Sequence, residues 1–493
     1  MRSSNRLVPL LALGFAVAVA TGCSKRDESL VRIATIGASD ALSDLRGPRL
    51  NPSAALLRSA TTEGLVGFDE EGRVVPALAD RWIVTDDGQS YIFRLRNGDW
   101  PDGSPITGEA AATALRRALR ALRGTPLALD LNQIDEIRAM AGRVVEIRLT
   151  SPVPDLLDLL AQPELGLPYK DKGAGPMALE RKGSVVQLVP IAPEKRGMQA
   201  EEDWKQRVRT LQLRAEPAAR AVAAFDDGTV DVVLGGRADT LPLVKTAGLS
   251  RGTIRLDPVI GLFGLLFVHD DGFFAEPANR EAIAMAIDRA ALLDPFNIAG
   301  WVPTTRIVSS DVEDDLGTIG ERWTGLDVPS RQRIAAQRVS QWTRGGHALA
   351  PLRIALPDSP GGAIIFDRLR ADLSAIGLSV RKVGEDAPAD LRLLDATARY
   401  GRATWFLNQL SCAAPRAVCS PEGDARVAEA RATADKKGRA ALLAEAEAEI
   451  TAVNGFIPFA RPLRWSLVRG DITGFSPDLW GWHPLLPLAL APR

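Results

Sequence analysis

The sequence predicts an α/β protein folded as more than one lobe, and three observations carry that expectation. At 493 residues the chain is longer than one hydrophobic core usually organises. Strand and helix patterns alternate along it. Leu352 to Val383 reads as strand, helix, strand, and a short crossover of that kind implies a parallel strand pair. The composition, 46% apolar and 25% charged, is that of a folded protein, with no low-complexity tract.

In order, Leu30 to Thr35 is the first strand, and a helix from about Ser53 to Thr62 follows Asn51-Pro52. Trp82 and Val84, then Tyr91, Phe93 and Leu95, keep a period of two around the polar turn Asp86-Asp87-Gly88-Gln89. That spacing predicts a half-buried hairpin. Asn97-Gly98 and Pro101-Asp102-Gly103 are further turns. Thr107 is expected to cap a helix, with Glu109 in the first turn where the helix dipole favours an acid. Ala111, Leu115, Ala118, Leu119 and Leu122 form its apolar face.

Residues 130–150 read as a strand pair and Leu156 to Leu160 as a short helix. Gly173-Ala174-Gly175-Pro176 reads as a tight turn without chemistry. From Arg209 the pattern is a strand, a helix opened by Pro217 and ended by Asp227-Gly228, then a strand over Val230 to Leu234. Val259 to Val268 is apolar throughout. Its ten residues are too few to span a bilayer and predict a strand buried on both faces. One helix is expected over Asn279 to Leu293, with Ile283, Ala286, Ile287 and Ala290 on one face. In the 352–383 unit, Ile365, Leu369, Leu373 and Ile376 form the helix stripe, and Gly377 caps it. A late helix around Ala440 to Ile450 precedes a strand at Ile457-Pro458-Phe459.

The N-terminus has the grammar of an export signal. Arg2 and Arg6 precede an apolar run from Leu7 to Ala20. Ala20-Thr21-Gly22-Cys23 resembles a bacterial lipobox, with Ala20 where leucine is commoner. Residues 1–22 are therefore expected to be a signal peptide and Cys23 to carry a lipid that anchors the protein to a membrane in the periplasm. Ordinary cleavage after Ala18-Val19-Ala20 is the alternative. With Cys23 lipidated, Cys412 and Cys419 remain as an even pair, and two nearby thiols in an exported protein are expected to oxidise to a disulfide.

The formal charge is −1, and loss of Arg2 and Arg6 brings it to −3. No basic concentration marks a nucleic-acid footprint. The three histidines, His269, His347 and His483, are far apart and lack metal-ligand spacing. No nucleophile or metalloprotease motif and no phosphate-cradling loop is present. The chain is expected to be no enzyme and to need neither metal nor cofactor.

The stretch Thr61 to Leu119 resembles the extracellular solute-binding proteins of the peptide- and nickel-binding class, family 5, which serve ABC importers. The matching pieces are Glu63-Gly64-Leu65, Val75-Pro76-Ala77-Leu78-Ala79, Trp82, Asp86-Asp87-Gly88, Tyr91, Phe93, Leu95-Arg96, Asp102-Gly103, Pro105, Thr107 and Arg116-Arg117, and their order is what makes them specific. Asn279 to Leu293, Ala371 to Val380 and Gly474-Phe475 extend the resemblance over nearly the whole mature chain.

The resemblance implies a two-lobed periplasmic-binding-protein-like α/β fold (type II, large peptide-binding class) with an extra subdomain in the first lobe. Lobe I is expected from residues 23–65, 175–258 and 466–493, the subdomain from 66–174, and lobe II from 259–465. A small-molecule or peptide ligand would bind in the cleft, hinge closure would bury it, and the monomeric protein would deliver it to ABC permease subunits. Peptide binders of this family hold the peptide's ammonium with an acid in a segment that here reads ARYGRATWFLN, Ala398 to Asn408. Arg399 stands at the acid's position and Arg402 at a second. An arginine there repels an ammonium and needs a carboxylate or phosphate, either from a ligand with a negative or blocked end or from its own chain. Trp405 and Asn408 are the other ligand-binding candidates, Trp405 as an aromatic wall or as core. These replaced acids leave open a second reading, a binding-protein fold acting as adaptor or sensor without transport.

Overall fold

The computed structural model describes residues 29–47, 49–170, 172–244, 252–414 and 418–491. Two main sheets organise it. The first has seven strands, in spatial order Met177–Lys182, Val185–Pro190, Thr210–Glu216, Leu30–Ile36, Val232–Arg237, Arg464–Val468 and Ile254–Asp257. Its centre is parallel, Leu30–Ile36 lying between Thr210–Glu216 and Val232–Arg237. The second has five strands, in order Val380–Val383, Leu352–Ala355, Leu391–Thr397, Gly261–Phe267 and Phe456–Ala460. The expected parallel pair of the 352–383 unit is present.

The chain crosses between these sheets twice, at 258–260 going out and at 461–463 coming back. The two lobes of the expected fold are therefore tied by a pair of neighbouring connections. The expected return at residue 466 falls inside Arg464–Val468, all of which belongs to the seven-stranded sheet. A separate four-stranded antiparallel sheet, in order Ala79–Val84, Ser90–Leu95, Val144–Leu149 and Ile134–Ala139, forms the core of the extra subdomain. Helix Gly108–Ala121 packs on it, started by Thr107, whose side chain accepts from the Ala110 N–H.

Three local outcomes differ from the sequence pattern. Val84 pairs with Tyr91 as the period demands, yet it is exposed, because Ala79–Val84 is the outer strand of its sheet; Trp82 reaches Phe93 at 6.4 Å between rings. The helix expected over 279–293 is two helices, Pro277–Ala286 and Arg289–Leu293. Ile287 is extended, and Asp288 caps the second helix by accepting from the Ala291 N–H at 3.1 Å. An Asp competes locally for backbone donors, which favours a new start over continuation. The break turns Arg289 inward, where its Nε donates to the Pro458 carbonyl at 2.7 Å. The second strand of the 209–237 unit runs Val232–Arg237 and so starts two residues later than expected.

Gly173 and Gly175 answer a close approach more than a turn. A Cβ at Gly175 would stand 2.2 Å from the Thr61 carbonyl carbon, so only glycine lets this segment lie against the end of helix Pro52–Thr61.

Candidate functional site

A cavity of about 660 Å³ lies where the two main sheets and the subdomain meet. That volume is in the range of small-solute sites, roughly 300–1,000 Å³. The seven-stranded sheet contributes Gly235 and Arg237, the subdomain Leu127, Asp130 and Glu164, and lobe II the residues Asp395 to Arg399 and Trp405. Trp480 and Trp482 approach from the C-terminal segment. That segment is fixed from behind by buried Asp478, whose carboxylate accepts the backbone N–H groups of both tryptophans, and by His483 against Asp257 at 3.1 Å.

Arg399 and Trp405 line this cavity. Arg399 follows strand Leu391–Thr397, and Trp405 lies on helix Ala403–Asn408. The Arg399 guanidinium is met by its own chain. It forms a two-pronged pair with Glu164, both contacts at 2.9 Å, and donates to the Gln162 side chain at 2.8 Å. Burial works against the ionised Glu164 carboxyl, and the facing Arg399 overrides it, holding Glu164 below the usual carboxylate range. For Arg399 burial likewise lowers the pKa, and Glu164 raises it above the ordinary arginine value. Arg402, the second basic replacement, donates to Asp155 at 3.0 Å and reaches Glu313 at 2.9 Å.

Trp405 is buried, edge-on to Phe406 at 5.0 Å, and its indole N–H has no partner among the described residues. Asn408 lies one layer behind the cavity wall. Its amide donates to Asp130 and accepts from Arg431 at 2.7 Å. Asp130 itself lines the cavity and also accepts from the Tyr400 hydroxyl at 2.8 Å. Burial pushes the Asp130 carboxyl up to about 7, against the pull of the Asn408 and Tyr400 hydrogen bonds. Its second oxygen, Oδ2, has no partner among the described residues, which leaves a place for the proton.

Sequence reasoning passed over Asp130, Gln162 and Glu164. A signal existed for Asp130, an isolated acid in the apolar run Leu127 to Leu131. None existed for Glu164, which is 235 positions from its arginine. Just beyond the helix, Cys412 and Cys419 form a disulfide with Cα atoms 5.2 Å apart. Closing so small a loop contributes roughly 2–3 kcal/mol in the chain-entropy model. Cys23 lies outside the described residues. Among the described residues no group of three or more His, Cys, Asp or Glu could hold a metal ion, and no helix is long and apolar enough to cross a membrane.

Comparison with known proteins places this arrangement. The chain is 26% identical over 324 residues to the probable deoxycholate-binding periplasmic protein YgiS of Escherichia coli, covering 60% of this chain and 59% of that protein. It is 24% identical over 362 residues to the nickel-binding periplasmic protein of the same organism, covering 68% of each. Its fold superposes on Haemophilus influenzae OppA in complex with the peptide RPPGFSPFR with a TM-score of 0.79 at 18% identity, covering 94% of this chain and 99% of that one. The profile of the bacterial extracellular solute-binding proteins, family 5 Middle, matches residues 73–380. Two lobes with a cavity between them and a family match across most of the chain lead to one conclusion: this protein belongs to the bacterial extracellular solute-binding proteins of family 5, a family of binding proteins and not of enzymes.

Proposed function

We propose that the protein captures a peptide-like or other small oligomeric solute in the cavity between its lobes and presents it to the permease subunits of an ABC importer. The observation that carries this reading is the cavity of about 660 Å³, lined by both lobes and bridged by Arg399–Glu164. The peptide bound by the OppA neighbour and the relatives named for a bile acid and for nickel support solute capture as the shared task. Arg399 and Trp405 are proposed as wall residues, and Asn408, behind the wall, as the residue that positions Asp130 in it. With Arg399 facing Glu164, the proposed solute has a neutral, blocked or anionic end at this position; a free ammonium would meet a guanidinium.

The division into lobe I (23–65, 175–258 and 466–493), subdomain (66–174) and lobe II (259–465) is kept as a proposal with its last boundary moved ahead of Arg464, supported by the separation of the seven-, four- and five-stranded sheets. So is the placement: a monomer in the periplasm, held to a membrane by lipid on Cys23 after removal of residues 1–22. The periplasmic relatives and the sequence around Cys23 support it.

Native mass spectrometry of the protein purified from its host tests the reading. A co-purified solute is expected, and it names the class. Absence of any ligand, together with no melting shift across peptide, sugar and metal panels, would sink solute capture. Arg399→Asp places a second acid beside Glu164 and is expected to swing preference toward peptides with a free amine.

A further inference from the structure

Lobe II gathers arginines around Trp323, and none of that cluster lines the interlobe cavity. Two local starts build it. The helix break at Ile287-Asp288 turns Arg289 inward. Asp327 opens helix Val328–Arg344 by accepting the Ser330 N–H at 2.9 Å, which sets Arg331 in the opening turn, where the helix dipole disfavours a cation. Between the two, the chain passes through half-buried Trp323 at φ 56°, a left-handed conformation that a bulky residue adopts at a cost.

The Trp323 ring is the meeting point. The guanidinium carbons of Arg322, Arg289 and Arg331 stand 4.3, 5.7 and 5.9 Å from its centroid. The ring face attracts each cation, while the cations repel one another. Acids answer them unevenly. Glu281 takes Arg322 at 2.9 Å and Arg338 at 2.7 Å. Arg289 reaches only backbone carbonyls, and burial together with Arg331 and Arg322 holds it down at about 9. Glu321 and Asp372, the carboxylates that act on Arg289 from nearby, are engaged by Thr304 and Thr305 and by the Asp288 N–H. Arg331 has no ion pair and no side-chain hydrogen bond among the described residues, and its Nε is buried without a partner. A half-buried guanidinium with five donors and no acceptor calls for an anion.

Arg322 comes to the ring from a loop and Arg331 from a helix. An anion shared by the two needs oxygens in more than one plane, which a phosphate has and a carboxylate lacks. We propose that the Trp323–Arg331 cluster of lobe II is a phosphate-type oxyanion site, the anion held by the Arg331 and Arg322 guanidiniums beside the Trp323 ring. Free phosphate and the phosphodiester of a lipid headgroup share that chemistry.

Titration calorimetry of the full chain, in phosphate-free buffer with a non-ionic detergent, tests it with two probes: inorganic phosphate and the diester glycerophosphoglycerol. Binding is expected. Binding of inorganic phosphate alone marks a free-anion site, and binding of the diester a headgroup site. Arg331→Gln is expected to weaken binding about ten- to a hundredfold, the loss of hydrogen bonds to a charged group. Arg331→Lys keeps the charge without the fork and is expected to recover part of that loss; it also serves should the glutamine variant melt early. Arg333→Gln removes the same charge from an exposed position two residues on, which does not share the Arg331 face, and is expected to leave Kd within about twofold. Binding of neither probe, or a Kd that Arg331→Gln leaves unchanged, would overturn the site. Equal losses in Arg331→Gln and Arg333→Gln would overturn it too, as attraction by general charge.

Discussion

The two lobes are held together at two places by different means. At the hinge side the backbone crosses twice, and the crossings are locked by buried contacts. Arg464 pairs with buried Asp395, and Trp465 is fully buried with its indole N–H on the Arg237 carbonyl. Across the cleft, helix Pro126–Asp130 lies against helix Ala403–Asn408 in one apolar cluster, and polar side-chain pairs add to it. Arg399 meets Glu164, Tyr400 meets Asp130 and Arg402 meets Asp155. The hinge side is continuous backbone and closely fitted; the cleft side adds to its apolar contact a set of polar pairs and Asp130, whose carboxyl burial raises to about 7. In a closing binding protein the first should set stability and the second should set the open–closed balance.

The largest expected effect is at the hinge. Gly261 opens the outgoing strand with φ 153°, and a Cβ there would stand 2.1 Å from the Ala396 carbonyl oxygen. Gly261→Ala is expected to destabilise by about 3 kcal/mol, read by denaturant unfolding, because the obstruction is backbone and cannot rotate away. An unfolding midpoint equal to that of the unaltered protein would break the contrast.

Next, Glu164→Gln leaves Arg399 without its carboxylate. A loss of about 2 kcal/mol in closure is expected, moderated because Arg399 keeps about a third of its side chain exposed (36%). Small-angle scattering should show a larger radius of gyration with little change in the unfolding midpoint. If unfolding shifts and the shape does not, the cleft pair is a stability element after all.

Third, Asp130 sharpens the comparison through pH. Its carboxyl is raised to about 7 in the closed state, so closed protein binds a proton that open or unfolded protein has released above its ordinary value near 3.8. Closure is therefore undiminished below about pH 4, weakens as pH rises through 4–7, and stays weakened above. The groups facing Asp130 are Tyr400, Asn408, Arg431 and Arg399. Asp130→Asn is expected to remove one proton's worth of that slope from the pH dependence of scattering or melting; an unaltered slope would exclude it as the titrating group. The smallest effect belongs to Arg402→Gln. Its pair with Asp155 is part-exposed, at 22% and 21%, and such pairs contribute about 0.5 kcal/mol.

How far these features could be read from the chain follows the same division. Hairpins and caps are local, so Tyr91, Phe93 and Thr107 announced themselves by period and spacing. The parallel pair of the 352–383 unit did so too, since its two strands are close in sequence. The break at Ile287-Asp288 was hidden because the apolar spacing continues through it, while the deciding contacts, Asp288 to Asp372 and Arg289 to Pro458, are distant. The cleft was half legible. Arg399 stood out as a charge replacing a charge, but only the fold brings Glu164 to it. Asp130 looked like part of a strand pair because nothing in its neighbourhood reveals Tyr400 and Asn408.

The double crossing has a further consequence. Ile254–Asp257 and Arg464–Val468 are neighbours in one sheet, as Gly261–Phe267 and Phe456–Ala460 are in the other. Everything between residues 261 and 460 thus leaves and re-enters through a doorway one strand wide. Such a module is set to vary or move as one unit, the five-stranded half changing while the seven-stranded half is kept as the frame.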